Sequence, residues 1–425
     1  MRIIGLEMAK ALRSPLVAGL LVVFTALNLF VMYGQTYQRE ELQVLSSLVS
    51  RFGHDMNGEG YERLSDYYKS ELAAFNTIAE AKLGRTYDSA AEFAGSNPQL
   101  IDPARPFTDD EVELTQRLLV TERYVQAVPE LREQYADMDM WEIAKGMLDI
   151  MTKPTSDEVD RIVYANYDKL EQRVIALREQ GEHLHLFFQG VVHKLHSFLY
   201  KHILGLMLYQ MMLLSVLITA QIMNYETDRN THPLMYATRR GRRLQRDKLA
   251  AALLSSLLAA VVLLAVNLTA YFRLFDYSEL WQVPISTGLM REFRFTPYIA
   301  WWPFRFAEYL GAVIGLALVL QLIFAGLAAW LAHYVRNSYF VCCMFLLLLG
   351  AGWVVITVTP PGSLLIFAAY ANPFQLLWVP HGWFMMKNVF STYPSYELVT
   401  VGSWLVIVAA LLGLARRHFI RRDLR

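Results

Sequence analysis

Six stretches of this chain run for 18 residues or more without a formal charge, and no other feature narrows the possible folds so far. They cover 15–33, 203–225, 249–272, 309–335, 337–386 and 398–415. A helix needs about 20 apolar residues to cross a hydrocarbon core of about 30 Å, because every backbone group there must be satisfied within the segment. Buried helices of a large soluble protein would not require several such runs together. The expected fold class is therefore an all-α polytopic membrane protein with six transmembrane helices.

Lysine and arginine give the expected orientation. Arg2, Lys10 and Arg13 precede the first run, and Arg229, Arg239, Arg240, Arg242, Arg243, Arg246 and Lys248 follow the second. Arg336 follows the fourth run, and Arg416, Arg417, Arg421, Arg422 and Arg425 end the chain. These segments alternate correctly if both termini are cytoplasmic and the chain crosses six times. A second crossing within 337–386 would put the arginine-rich tail outside, so 339–359 is read as one span. Residues 360–397 then form re-entrant or interfacial helices, with Trp378, Trp383 and Tyr393 at the interface. The remaining spans are expected at 15–34, 201–223, 249–273, 305–335 and 398–415. Residues 1–14 read as an amphipathic helix on the cytoplasmic surface, 274–304 as an extracytoplasmic or interfacial loop, and 416–425 as a cytoplasmic tail. The first run lacks a small-x-small cleavage pattern and reads as a retained signal anchor.

Net charge is zero overall but sharply segregated. Residues 35–199 hold 29 of the 39 acids and 17 of the 39 bases, a net of −12, and the rest of the chain carries +12. The insert at 35–200 is expected to be a mainly helical extracytoplasmic domain. Thr108-x-x-Glu111 and Thr155-x-x-Glu158 fit capping boxes, with Pro106 and Pro154 just ahead of them. Val163, Tyr167, Leu170, Val174 and Leu177 form a helical packing stripe. The pattern runs on past Gly181 and Gly190, predicting a helix continuous with the second span. On such a helix His185, His193 and His196 share a face, which makes them a weak candidate cluster for a metal or a pH sensor. Interfacial packing is the plainer reading of the same residues.

The segment 224–248 leaves the second span with Glu226, passes an amphipathic stretch and a basic run, and re-enters the membrane after Lys248. The positive-inside rule alone explains its arginines. The order of acid, Thr231, Met235, Thr238-Arg239 and Lys248 goes beyond it. In this order, and in the whole layout of spans, the chain resembles the permease subunits of ABC exporters of the ABC-2 class, in the branch with a large insert after the first span. Family members often carry Glu-x-x-x-Gly here, and Asn230 stands where that Gly would be.

The resemblance implies that 224–248 is a cytoplasmic coupling loop. It implies that Glu226, Thr231, Met235, Thr238, Arg239, Arg240 and Lys248 form or brace the contact with a separate ATPase subunit, and that a second permease copy or a relative completes the path. ATP and Mg would be bound by that ATPase; no cofactor is expected in this chain, and no nucleic-acid partner. No Gly-x4-Gly-Lys-Ser/Thr, HExxH, GxSxG or Cys-x2-Cys pattern occurs, so the chain is not expected to be an enzyme. The span middles carry no ionisable Asp, Glu, Lys or Arg, which argues against an ion-driven carrier. The expected function is export of an amphipathic or hydrophobic substrate, such as a lipid, a peptide antibiotic or a drug, across a bacterial plasma membrane. The alternative is a membrane-anchored sensor whose helical insert binds a ligand or peptide. Labelling of intact cells with a membrane-impermeant thiol reagent should modify Glu113→Cys and spare Arg421→Cys; outside labelling at position 421 would defeat the six-span topology.

Overall fold

The computed structural model describes residues 2–97, 107–151, 153–191, 195–229, 244–293 and 296–421. It is an all-α polytopic membrane protein. Six helices are long and apolar enough to cross a membrane: Pro15–Tyr33, Leu195–Asp228, Leu244–Leu274, Phe306–Tyr334, Ser338–Val358 and Tyr396–Arg417. We number them spans 1 to 6. A short helix, Arg2–Leu12, precedes span 1.

Spans 2 and 4 are mostly buried, whereas spans 1, 5 and 6 expose most of their surface. Span 2 touches spans 1, 3, 4 and 5, and span 4 touches spans 2, 3, 5 and 6. The outer spans are apolar all round, as suits helices with one face on protein and the other on lipid. Close approach depends on small residues. A Cβ at Gly326 of span 4 would lie 2.4 Å from Val408 of span 6, and one at Gly352 of span 5 would lie 2.4 Å from Phe374.

Between spans 5 and 6 the chain forms short helices at Leu365–Tyr370 and Pro373–Leu376 and a 3-10 turn at Pro380–Gly382. Its carbonyls are answered by aromatic side chains. The indole N–H groups of Trp353, Trp383 and Trp404 donate to the carbonyls of Phe374, Leu376 and Ala371 at 2.9–3.3 Å. Trp378 is exposed, as an interfacial residue should be, but Trp383 is fully buried and belongs to the core.

The insert packs helices Arg39–Phe52, Glu59–Leu83, Ala90–Ser96, Asp109–Ala136, Met140–Asp149 and Asp157–Glu179. The Thr108–Glu111 capping box forms in both directions. At the last helix the cap is displaced by one residue. Ser156, not Thr155, accepts from the backbone N–H of Val159. Val163, Tyr167, Leu170, Val174 and Leu177 are all fully buried. They join the core of the spans, while Tyr68, Phe75, Phe93 and Phe107 anchor a second, distal cluster.

The expected continuous helix into span 2 does not exist. The insert's last helix stops at Glu179, and Gly181 turns the chain with φ +72°. A Cβ there would also strike the Asn57 side chain at 2.1 Å. A 3-10 turn at Glu182–Leu184 follows, and Gly190–Val191 pairs in parallel with the strand Met290–Phe293. This junction is fastened by polar bonds. Arg173 makes a double hydrogen bond to Glu182 at 2.7 and 3.0 Å and donates to the carbonyl of Ala300 at 3.0 Å. The carbonyls of His183 and His185 accept from Gly288 N–H and the Thr287 hydroxyl. Met56 N–H donates to Leu184, and Leu186 N–H to His54.

The imidazoles of His54 and His185 stack across the same junction, with their Nδ1 atoms 2.6 Å apart. One ring donates and the other accepts, so the contact is lost when both Nδ1 atoms carry protons. Burial depresses both pKa values, that of His185 to about 4; each ring's other neighbours are Asp55, which opposes the shift, and either Arg305 or His183, which add to it. His183 is likewise pushed to about 4, by burial and then by Arg178 and Arg132. Groups depressed by folding contribute fully above their unfolded value of 6.5, and the contribution fades as pH falls toward 4. The thermal midpoint of the full chain should therefore drop between pH 7 and pH 4.5, and should drop less in a His54→Gln/His185→Gln variant. Equal drops would show that the pair does not titrate with folding.

Candidate functional site

The polar residues of the spans converge on span 2. Near the insert end, Gln210 exchanges two hydrogen bonds of 2.9 Å with Asn28 of span 1. One turn on, the Ser215 hydroxyl donates to Gln321 of span 4 at 3.2 Å. Next, Thr219 meets Ser256 of span 3 at 3.4 Å. At the far end, Asn224 donates to the carbonyl of Val335, and the Ser338 hydroxyl of span 5 bonds Asp228 at 2.5 Å. Lipid offers no hydrophobic force between helices, so such bonds and close packing hold a bundle together.

The series ends in a buried charge cluster at the end of the bundle away from the insert. Glu226 of span 2 pairs with Lys248 of span 3, and both are at least nine-tenths buried. Lys10 of the first helix lies 3.7 Å from Glu226 and 2.7 Å from Glu7. Burial works against the Lys10 charge, but the hydrogen bond and charge of Glu7, with help from Glu226 and Tyr225, outweigh it and raise its pKa. The Tyr225 ring carries two cations, the Lys10 ammonium 4.7 Å and the Arg229 guanidinium 4.9 Å from its centroid. Beside them opens a cavity of about 400 Å³ lined by Glu7, Lys10, Arg13, Gln221, Tyr225 and Asp228, among others.

Of the loop residues singled out above, Glu226 and Lys248 are thus brought together. Both point inward, so they act as a strut between spans 2 and 3 rather than as a surface. Thr231, Met235, Thr238, Arg239 and Arg240 lie outside the described residues. Sequence reasoning missed that Glu7, Lys10 and Tyr225 join the cluster; the Glu7-x-x-Lys10 spacing, which puts both on one helix face, was the available signal. It also missed the buried Lys387–Glu397 pair at the insert end, where Glu397 further accepts from Phe384 N–H at 2.8 Å.

The single helical face that would gather His185, His193 and His196 is not formed. Its premise was one continuous helix, and His185 instead sits in extended chain against His54. His196 is buried among the rings of Tyr200, Tyr298, Tyr309 and Phe187, and His193 lies outside the described residues. Among the described residues no group of three or more His, Cys, Asp or Glu side chains is placed to hold a metal ion. Arg305 and Glu308 cap span 4, the Arg305 N–H donating to the carboxylate at 2.9 Å.

The chain matches no protein-family model, no curated protein and no solved structure. The charge cluster is directly testable. Removing one partner of a buried ion pair costs about 3–5 kcal/mol, whereas replacing both with apolar or neutral groups of similar size is often neutral. Lys248→Met alone should lower the thermal midpoint of the detergent-purified chain strongly, and Glu226→Gln/Lys248→Met should recover most of the loss. Equal midpoints for single and double variants would mean that the pair does not couple.

Proposed function

We propose that this chain is the transmembrane permease subunit of an ATP-driven exporter of the ABC-2 kind. The observation that carries the reading is the charge cluster of Glu7, Lys10, Glu226 and Lys248. It ties the first helix, the root of span 2 and the root of span 3 into one rigid block where the loop leaves the membrane. A loop that receives force from a partner needs such a root, since a frayed one would absorb the motion.

In this reading the termini and that loop are cytoplasmic, the insert is extracytoplasmic, and the membrane is a bacterial plasma membrane; the positive-inside distribution supports the orientation. ATP hydrolysis, with its Mg, takes place on a separate cytoplasmic ATPase. Glu226 and Lys248 brace the loop from inside, and Thr231, Met235, Thr238, Arg239 and Arg240 meet the partner. A second permease copy or a relative completes the path. The transported molecule is amphipathic or hydrophobic, which agrees with spans whose middles carry no Asp, Glu, Lys or Arg.

An Arg239→Glu/Arg240→Glu variant should insert normally, lose its ATPase on purification in mild detergent and stop transporting. Breaking buried charge pairs at an interface costs about 2–5 kcal/mol, enough for that loss. If this variant retains its ATPase and the normal transport rate, the loop is only a topology signal.

A further inference from the structure

At the insert end of the bundle a cavity of about 440 Å³ lies where four parts of the chain meet. The insert contributes Met147, span 2 contributes Lys201, the segment between spans 3 and 4 contributes Tyr298, and the segment between spans 5 and 6 contributes Tyr370, Trp378 and Met386. The volume falls within the usual range for a small-molecule site, and the wall is mainly apolar and aromatic.

Its charge is one-sided. Two lysines, Lys201 and Lys387, line it, and among the described residues no Asp or Glu does, although the neighbouring insert is strongly acidic. Lys387 is neutralised by Glu397. No carboxylate among the described residues forms an ion pair with Lys201, which is only partly exposed. A partly exposed ammonium beside apolar and aromatic walls is placed to make a charge-assisted contact with an anionic head group. The local backbone also departs from a plain helix. Residues Phe198–Ile203 form a π-helical turn, and Lys201 lies within it. Such a turn widens the helix by one residue and resets which face a side chain takes, and it is found often where a helix serves a site.

We propose that this cavity binds an anionic amphiphile. Its phosphate or carboxylate head sits on the Lys201 ammonium, and its apolar body lies against Tyr370, Trp378 and Met386. As a statement about the transported substrate this rests on the exporter reading; as a statement about binding it needs neither the ATPase nor transport. The same chemistry is offered by a soluble amphiphile and by an anionic phospholipid of the bilayer.

The test is titration of dodecyl phosphate into the full chain in phosphatidylcholine nanodiscs, with empty nanodiscs as the reference. Saturable one-to-one binding is expected, with none for dodecyltrimethylammonium. Lys201→Gln should weaken binding about tenfold or more, the loss of one charge-assisted contact, while Lys201→Arg should stay within about threefold. Trp378→Ala, at an exposed position whose loss leaves the core intact, should weaken dodecyl phosphate binding as well. Competition by phosphatidylglycerol added to the nanodiscs would identify a bilayer lipid as the occupant, and its absence a soluble amphiphile; both support the site. Unchanged affinity in Lys201→Gln together with Trp378→Ala, equal binding of the cationic probe, or displacement of dodecyl phosphate by equimolar inorganic phosphate would overturn it. Failure here leaves the exporter reading standing, because that reading is tested by ATPase retention.

Discussion

The bundle depends on the polar side chains that run the length of span 2. In a bilayer apolar surface gains little by leaving lipid for protein, so the usual driving force of folding is missing between spans. Gln210, Ser215, Thr219, Asn224 and Glu226 between them reach three neighbours: span 1, span 4, span 3, the end of span 4 and span 3 again. All five of these residues are buried in the bundle. Together they specify which helix lies on which side of span 2, a choice that uniform Leu and Val surfaces would leave open. The order of spans around the centre is thus written in a handful of hydrogen bonds, and the apolar residues fill the space between them.

How far the molecule was legible from its sequence follows from the range of each signal. The spans were readable because charge-free length is a property of the segment alone. The Thr108–Glu111 cap and the stripe from Val163 to Leu177 were readable for the same reason, since their partners lie within one or two turns. The end of the last insert helix was not readable. Gly181 is one residue inside an otherwise helical pattern, and the bonds that hold the chain after the turn come from Thr287 and Gly288, far away in sequence. The displaced cap at Ser156 is a near-tie between neighbouring hydroxyls. At the candidate site, Glu226 and Lys248 could be named by family pattern, but their mutual burial needed the packing of spans 2 and 3.

The segment between spans 5 and 6 shows how broken helix is kept within or near the membrane. Interrupted backbone leaves carbonyls that lipid cannot satisfy. Here three tryptophans and the Tyr396 hydroxyl, 2.6 Å from the carbonyl of Tyr370, answer them. Their rings supply apolar bulk with a single donor at the edge, which suits a place where one carbonyl must be met and water kept out. The Lys387–Glu397 pair then fixes the return into span 6.

The attachment of the insert has a kinematic consequence. It is joined to the membrane part by covalent chain at two places, after span 1 through a 3-10 turn at Thr36–Gln38 and before span 2 through the Gly181 junction. A body pinned at two points still swings about the line between them. Further bonds reinforce the second link: Thr287 and Gly288 hold the junction itself, and the carbonyl of Ala300 accepts from Arg173 of the insert's last helix. Because Val163, Tyr167, Leu170, Val174 and Leu177 also share one core with the spans, a swing of the insert's last helix would have to disturb packing inside the bundle.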